Sequence, residues 1–183
     1  MHEVTWRVDG LLLDALTALG APVERVEAGA YLVTVHGRRR PASRVWLIAG
    51  EQGVAVEAFV LHVRPGDCPD PAALHRHLLI RNLRLRLVAY GLDDIGDVFV
   101  RGTLPLLTSA KDASTAELSA AAVDAVLGEV AQALEDDHDT LLGLAYGERL
   151  PADPALSAKV RSDGAGRRPA GTPLWAPHRD ARR

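Results

Sequence analysis

Two periods alternate along the chain. Residues 9–19 carry Leu12, Leu13, Leu16 and Leu19 at the spacing of one helical face, and Gly20 with Pro22 ends the pattern. Residues 31–36, 45–49 and 54–63 are instead short runs of β-branched and apolar residues, split by Gly37-Arg38-Arg39-Arg40-Pro41 and by Glu51-Gln52-Gly53. They predict a three-stranded antiparallel meander. Asp70-Pro71 then offers an N-cap acceptor followed by proline at the first helical position, so a second helix is expected up to about Leu83, with Leu74, Leu78 and Leu79 facing inward. Residues 85–92 and 97–104 read as two further strands, joined by the turn Asp93-Asp94-Ile95-Gly96. Ser114-Thr115-Ala116-Glu117 has the form of a capping box and predicts the start of a long helix striped by Leu118, Val123, Val126, Leu127, Val130 and Leu134. The polar run at residues 135–139 interrupts that stripe before Leu141, Leu142 and Leu144, which predicts a break near Asp137.

The expected order is α-β-β-β-α-β-β-α: an α+β fold with a five-stranded antiparallel sheet and helices mainly on one face. A sheet with one solvated face alternates apolar and polar residues, but here both faces of several strands are apolar. Val54, Val56, Ala58 and Val60 make one row of the third predicted strand; Ala55, Phe59, Leu61 and Val63 make most of the other, broken by Glu57. Val45 and Leu47 likewise oppose Trp46 and Ile48. Three helices cover one face of such a sheet, so the second is expected to meet another copy of the chain or a client protein, with Trp46, Val56, Phe59 and Leu61 at the contact.

Composition changes this picture in three places. At 183 residues, 48% of them hydrophobic, the chain can bury one core, assigned to residues 1–147. Residues 148–183 hold five of the eleven prolines and little apolar periodicity, and a loosely ordered Pro/Arg-rich tail is expected there. Charge divides at the same point: 13 Lys and Arg against 20 Asp and Glu in residues 1–147, then 8 against 4. An acidic body repels phosphate backbones, so nucleic acid could be met only through the tail, where Trp175 is the lone aromatic. No window of 18 uninterrupted apolar residues occurs and Met1-His2-Glu3-Val4 lacks the layout of a signal peptide, so a cytoplasmic protein without a membrane partner is expected. With a single cysteine, Cys68, stability has to come from packing rather than disulfides.

Candidate chemistry is sparse. The phosphate-loop, nucleophile-elbow, zinc-protease and dinucleotide fingerprints are all missing. His75 and His77 lie two apart on a predicted helix and cannot share a metal facially. Cys68 has no neighbouring base in sequence, and Asp93, Asp94 and Asp97 do not match a calcium loop. No catalytic residue, cofactor or metal is therefore expected. Arg38-Arg39-Arg40 form a basic hairpin tip that would pair with acids of the same body. Arg81, Arg84 and Arg86 leave one alternative, a domain sensing a small anion or metabolite, since arginine grips carboxylate and phosphate bidentately.

Three blocks of sequence carry a family resemblance. They are Val56-Glu57-Ala58-Phe59-Val60, His77-Leu78-Leu79-Ile80-Arg81-Asn82-Leu83-Arg84-Leu85, and Ala89-Tyr90 through Asp94-Ile95-Gly96-Asp97-Val98-Phe99-Val100-Arg101-Gly102 to Leu104-Pro105-Leu106, with Asp139-Thr140-Leu141-Leu142 fitting later. In these the chain resembles the YbjN-like family of bacterial sensory transduction regulators, whose fold is like that of type III secretion chaperones. The resemblance covers about residues 10–147. It implies the same element order, a homodimer that shelters segments of other proteins, and no catalytic residues. The function expected is a non-enzymatic, chaperone-like or regulatory adaptor that holds a client protein.

Overall fold

The computed structural model describes residues 2–63, 66–109 and 112–147, with side chains for 7–63, 66–106 and 117–147. The expected tail at 148–183 lies outside the described residues. Helix α1 (His2–Leu19) is followed by β1 (Val23–Glu27), β2 (Ala30–Val35), β3 (Ser43–Ala49) and β4 (Gly53–His62). After α2 (Pro71–Asn82) come β5 (Val88–Leu92), β6 (Asp97–Pro105) and a small pair, β7 (Leu107–Ser109) with β8 (Asp112–Glu117). Helices α3 (Ala120–Asp136) and α4 (His138–Tyr146) follow.

The main sheet has six strands in the order β1-β2-β3-β4-β6-β5, every pair antiparallel. The α+β class holds, but the expected count of five omits β1. Its sequence, Val-Glu-Arg-Val-Glu, shows no apolar row, and all five residues are exposed. An edge strand needs only the ladder on its inner side, so burial leaves no pattern in it to read.

One face of the sheet carries the core. Val8, Leu12, Ala15 and Leu16 of α1 pack with Tyr31, Val45, Leu47, Val54 and Val56, and Val123, Val126, Val130 and Leu134 of α3 extend the same cluster to Val98 and Val100. Leu74 and Leu78 close it beside β5, as expected for α2, while Leu79 is 68% exposed and does not face inward. The α2 start is as read from sequence: the Asp70 side chain accepts from the Ala73 N–H at 2.9 Å, with Pro71 in the first turn.

Two local expectations are corrected. Ser114-Thr115-Ala116-Glu117 is not a capping box, because it lies in β8; α3 starts at Ala120 with Ser119 in the N-cap position. The apolar stripe fits a helix beginning at either point, since its first strongly buried member is Val123. The fourth predicted strand begins at Val88 rather than Leu85, because the Glu129 carboxylate accepts the backbone N–H groups of Arg86, Leu87 and Val88 and holds that segment outside the ladder. The break at Asp137 separates α3 from α4 as expected.

Candidate functional site

The second face of the sheet bears no part of the core cluster. Across it runs one row of paired residues: Leu32, Trp46, Glu57, Arg101 and Ala89, on β2, β3, β4, β6 and β5 in turn. At its centre Glu57 is 5% exposed and forms an ion pair with Arg101, Nε to Oε2 2.6 Å. The Arg101 guanidinium lies 5.1 Å from the centre of the Phe99 ring, and Phe99 meets Phe59 edge to face at 5.7 Å. Such a pair adds stacking and cation–π attraction to area burial. Trp46, Ile48, Ala55 and Phe59 remain partly exposed around it. Toward β1, Arg44 and Glu24 pair at 2.9 Å. The face is thus apolar, aromatic and locally neutral, because each of these carboxylates meets a guanidinium.

The four residues expected at the partner contact fall on two sides of the sheet. Trp46 and Phe59 lie on this face, which no helix covers among the described residues. Val56 and Leu61 belong to the core, 1% and 4% exposed. Val56 follows from simple alternation, but Leu61 does not: the register slips between Phe59 and Leu61, where Phe59 pairs with Phe99 and Leu61 with Val98. A bulge inserts one residue and turns the strand after it to the opposite face.

The three arginines of the anion alternative do not converge either. Arg81 donates from Nε to Asp137 Oδ2 at 2.7 Å and reaches Asp136 at 3.6 Å, whereas Arg84 and Arg86 are exposed beyond the end of α2. Asp137 is the hub of a buried knot. Besides Arg81 it accepts from the Tyr90 hydroxyl at 2.8 Å, which also reaches the Ala133 carbonyl at 2.8 Å, and His77 Nε2 lies 3.4 Å from its other oxygen. Burial, then the Asp137 charge, push the Tyr90 hydroxyl far above its ordinary pKa. Burial works against the Arg81 charge, but the Asp137 carboxylate outweighs it and the guanidinium is held above its usual value. Sequence shows Asp137 only as a helix breaker; its partners come from α2 and β5, far away along the chain.

A second knot was equally hidden. Asp9 in α1 is 6% exposed and accepts from Arg25 at 2.7 Å, from the Gly29 N–H at 3.2 Å and from the Tyr31 hydroxyl at 2.5 Å. Both knots tie a helix to the sheet. A cleft between Val35, Ser43 and Leu134 offers only about 10 Å³, against several hundred for a small-molecule site.

The remaining polar candidates are also bound up locally. Cys68 is buried and donates to the Leu144 carbonyl at 3.3 Å. Arg39 pairs with Asp139 at 3.1 Å and Arg40 donates to the Phe59 carbonyl at 3.2 Å. Asp93 accepts from the N–H groups of Ile95 and Asp97, as turn acids do, and Asp97 pairs with His62. No described helix is long and apolar enough to cross a membrane.

The outward side of α2 was not anticipated. Leu79, Ile80 and Leu83 are 68%, 47% and 86% exposed, and Leu87 just beyond is 43% exposed. Apolar residues run around both sides of this helix, so periodicity alone assigns Leu79 to the core.

The YbjN family, described as "Putative bacterial sensory transduction regulator", matches residues 9–142. An uncharacterized protein of Mycobacterium leprae is 36% identical over 115 residues, covering 63% of this chain and 56% of that protein. Uncharacterized proteins of Mycobacterium tuberculosis and Mycobacterium bovis are each 38% identical over 117 residues, covering 64% of this chain and 57% of theirs. The chain therefore spans little more than half the length of these relatives.

Proposed function

The chain belongs to the YbjN family, and from that premise we propose that it is a non-enzymatic binding protein, a cytoplasmic homodimer that holds a segment of a client protein in a chaperone-like or regulatory role. The observation that carries this reading is the helix-free sheet face, where Trp46, Ile48 and Phe59 stay partly exposed around the Glu57–Arg101 pair. Large aromatic groups at the centre of an otherwise neutral surface are what protein contacts use as anchors. The two paired arginines, Arg101 and Arg44, leave no charge there to repel an identical face, so a two-fold arrangement of this sheet is electrostatically permitted.

The test is size exclusion with light scattering on the full chain and on Phe59→Asp. The expected result is a dimer that dissociates while circular dichroism stays unchanged. A folded Phe59→Asp protein with unaltered mass overturns the reading. Sensing of a small anion has less support, because Arg81 is already engaged by Asp137 and Asp136.

A further inference from the structure

Residues 71–87 contain four arginines and two histidines but no aspartate or glutamate, although the chain as a whole is acidic. Their distribution around α2 is ordered. Leu74, Leu78 and Arg81 turn inward, where Arg81 meets Asp137. A hundred degrees per residue then brings His75, Arg76, Leu79, Ile80 and Leu83 to the opposite side, and all five are exposed. Just past the helix, Arg84, Arg86 and Leu87 are exposed as well. Among the described residues, no ion pair engages Arg76, Arg84 or Arg86. The Glu129 carboxylate near this segment is spent on backbone N–H groups, not on a guanidinium.

Four large aliphatic side chains exposed on the same short segment as three arginines make a surface with a definite complement. Leu83, 86% exposed, gains from burial only if something apolar arrives, and the arginines gain only if that something carries carboxylates. A second copy of α2 fails the second condition, since a two-fold contact through Leu79 and Leu83 sets arginines against arginines. Residues 148–183 fail it too, with 8 basic residues against 4 acidic ones. The neutral sheet face differs in kind, because its arginines are already paired and offer no charge to an acidic partner.

We infer that the outward side of α2, built from Leu79, Ile80, Leu83 and Leu87 with Arg76, Arg84 and Arg86, docks an acidic amphipathic helix of a partner protein. This deepens the binding-protein reading, on which it rests, by naming the surface and the chemistry of the client. An i, i+3, i+4, i+7 row of leucines on the partner covers the aliphatic ridge, and glutamates flanking that row reach the arginines.

The probe is a pair of synthetic amphipathic peptides of roughly 20 residues, long enough to hold a helix, with identical leucine rows and either glutamate or lysine on the flanks. Binding to the full chain is followed by fluorescence anisotropy and by amide shifts in NMR spectra. The glutamate peptide is expected to bind at least about tenfold more tightly than the lysine peptide, to shift the amides of residues 75–87, and to weaken about tenfold with Leu83→Asp and with Arg84→Glu/Arg86→Glu. Leu83 is exposed, so its replacement leaves the fold intact. Equal binding of both peptides, shifts confined to the sheet face, or loss of dimer mass in Leu83→Asp each overturn the proposal; the last makes a second copy the occupant. Partition of the full chain onto vesicles of anionic lipid that Arg84→Glu/Arg86→Glu abolishes, without peptide binding, overturns it in favour of a membrane. If the peptide fails while Phe59→Asp still dissolves a dimer, the α2 proposal falls and the binding-protein reading stands.

Discussion

The hydroxyl of Tyr90, in β5, donates to Asp137 Oδ2, at the α3–α4 break, across 2.8 Å. Forty-seven residues separate them in number, and the bond fixes where α3 stops relative to the sheet edge. Asp137 is 4% exposed and also takes Arg81, so its charge is compensated from α2 as well. Removing one partner of a buried charged group costs more than the pair is worth, because the remainder stays desolvated. Asp137→Ala is therefore expected to lose about 3–5 kcal/mol and Tyr90→Phe about 1–3 kcal/mol, read from urea unfolding midpoints. Equal stability of Asp137→Ala and wild type would show that the knot is not a fastening.

The twin knot at Asp9 gives a pH dependence. Burial, reinforced by the hydrogen bond to Asp9 and its charge, raises the Tyr31 hydroxyl from 10.0 to about 12. The folded state keeps this proton where the unfolded state loses it, so the contribution is complete below pH 10 and drains as pH rises toward 12. Tyr90 titrates higher still and adds to the same alkaline fall. Unfolding free energy measured from pH 9 to 12 should fall less steeply in Tyr31→Phe than in wild type; parallel curves would refute the assignment.

Among the described residues, the free edge of β5 is closed by side chains rather than by another strand. Asn82 both donates to the Tyr90 carbonyl at 3.1 Å and accepts its N–H at 2.7 Å, and Glu129 takes the Val88 N–H. An open edge is a template for pairing between chains. Asn82→Ala/Glu129→Ala should lose about 1–3 kcal/mol for each unmet group and aggregate faster at equal folded fraction, followed by light scattering. Aggregation no faster than in an equally destabilised core variant such as Leu12→Ala would argue that the edge is harmless.

How much of this was legible in sequence depended on how local each feature is. Asp70-Pro71, the α3 stripe from Val123 onward, the Asp93–Gly96 turn and the Asp137 break are short-range patterns that the structure bears out, whereas in the α1 stripe Leu12 and Leu16 are buried and Leu13 is 38% exposed. The β1 strand escaped because an edge strand with every side chain in solvent has no buried row. Leu61 changed faces because a one-residue slip at Phe59 carries no mark in composition. Leu79 was drawn inward because α2 is apolar on both sides, and only exposure tells a ridge from a core. The buried knots at Asp9 and Asp137 join residues at least 16 positions apart, beyond any periodicity.

Glu57 and Arg101 offer an asymmetric test of the sheet face. The Glu57 side chain is 6% exposed and that of Arg101 39%. With Glu57→Leu, the guanidinium turns toward water and keeps its stacking on Phe99, so a cost of about 1 kcal/mol is expected, within the range of a partly solvated pair. With Arg101→Leu, the carboxylate stays between Trp46 and its neighbours without the cation that faced it, and about 3 kcal/mol is expected. The double variant removes the charge and the counter-charge together and should recover most of that loss, because matched aliphatic groups replace buried ion pairs at little cost. A double-mutant cycle in urea measures the coupling directly. Equal losses in the two single variants would mean that Glu57 is better solvated than its position in the row implies.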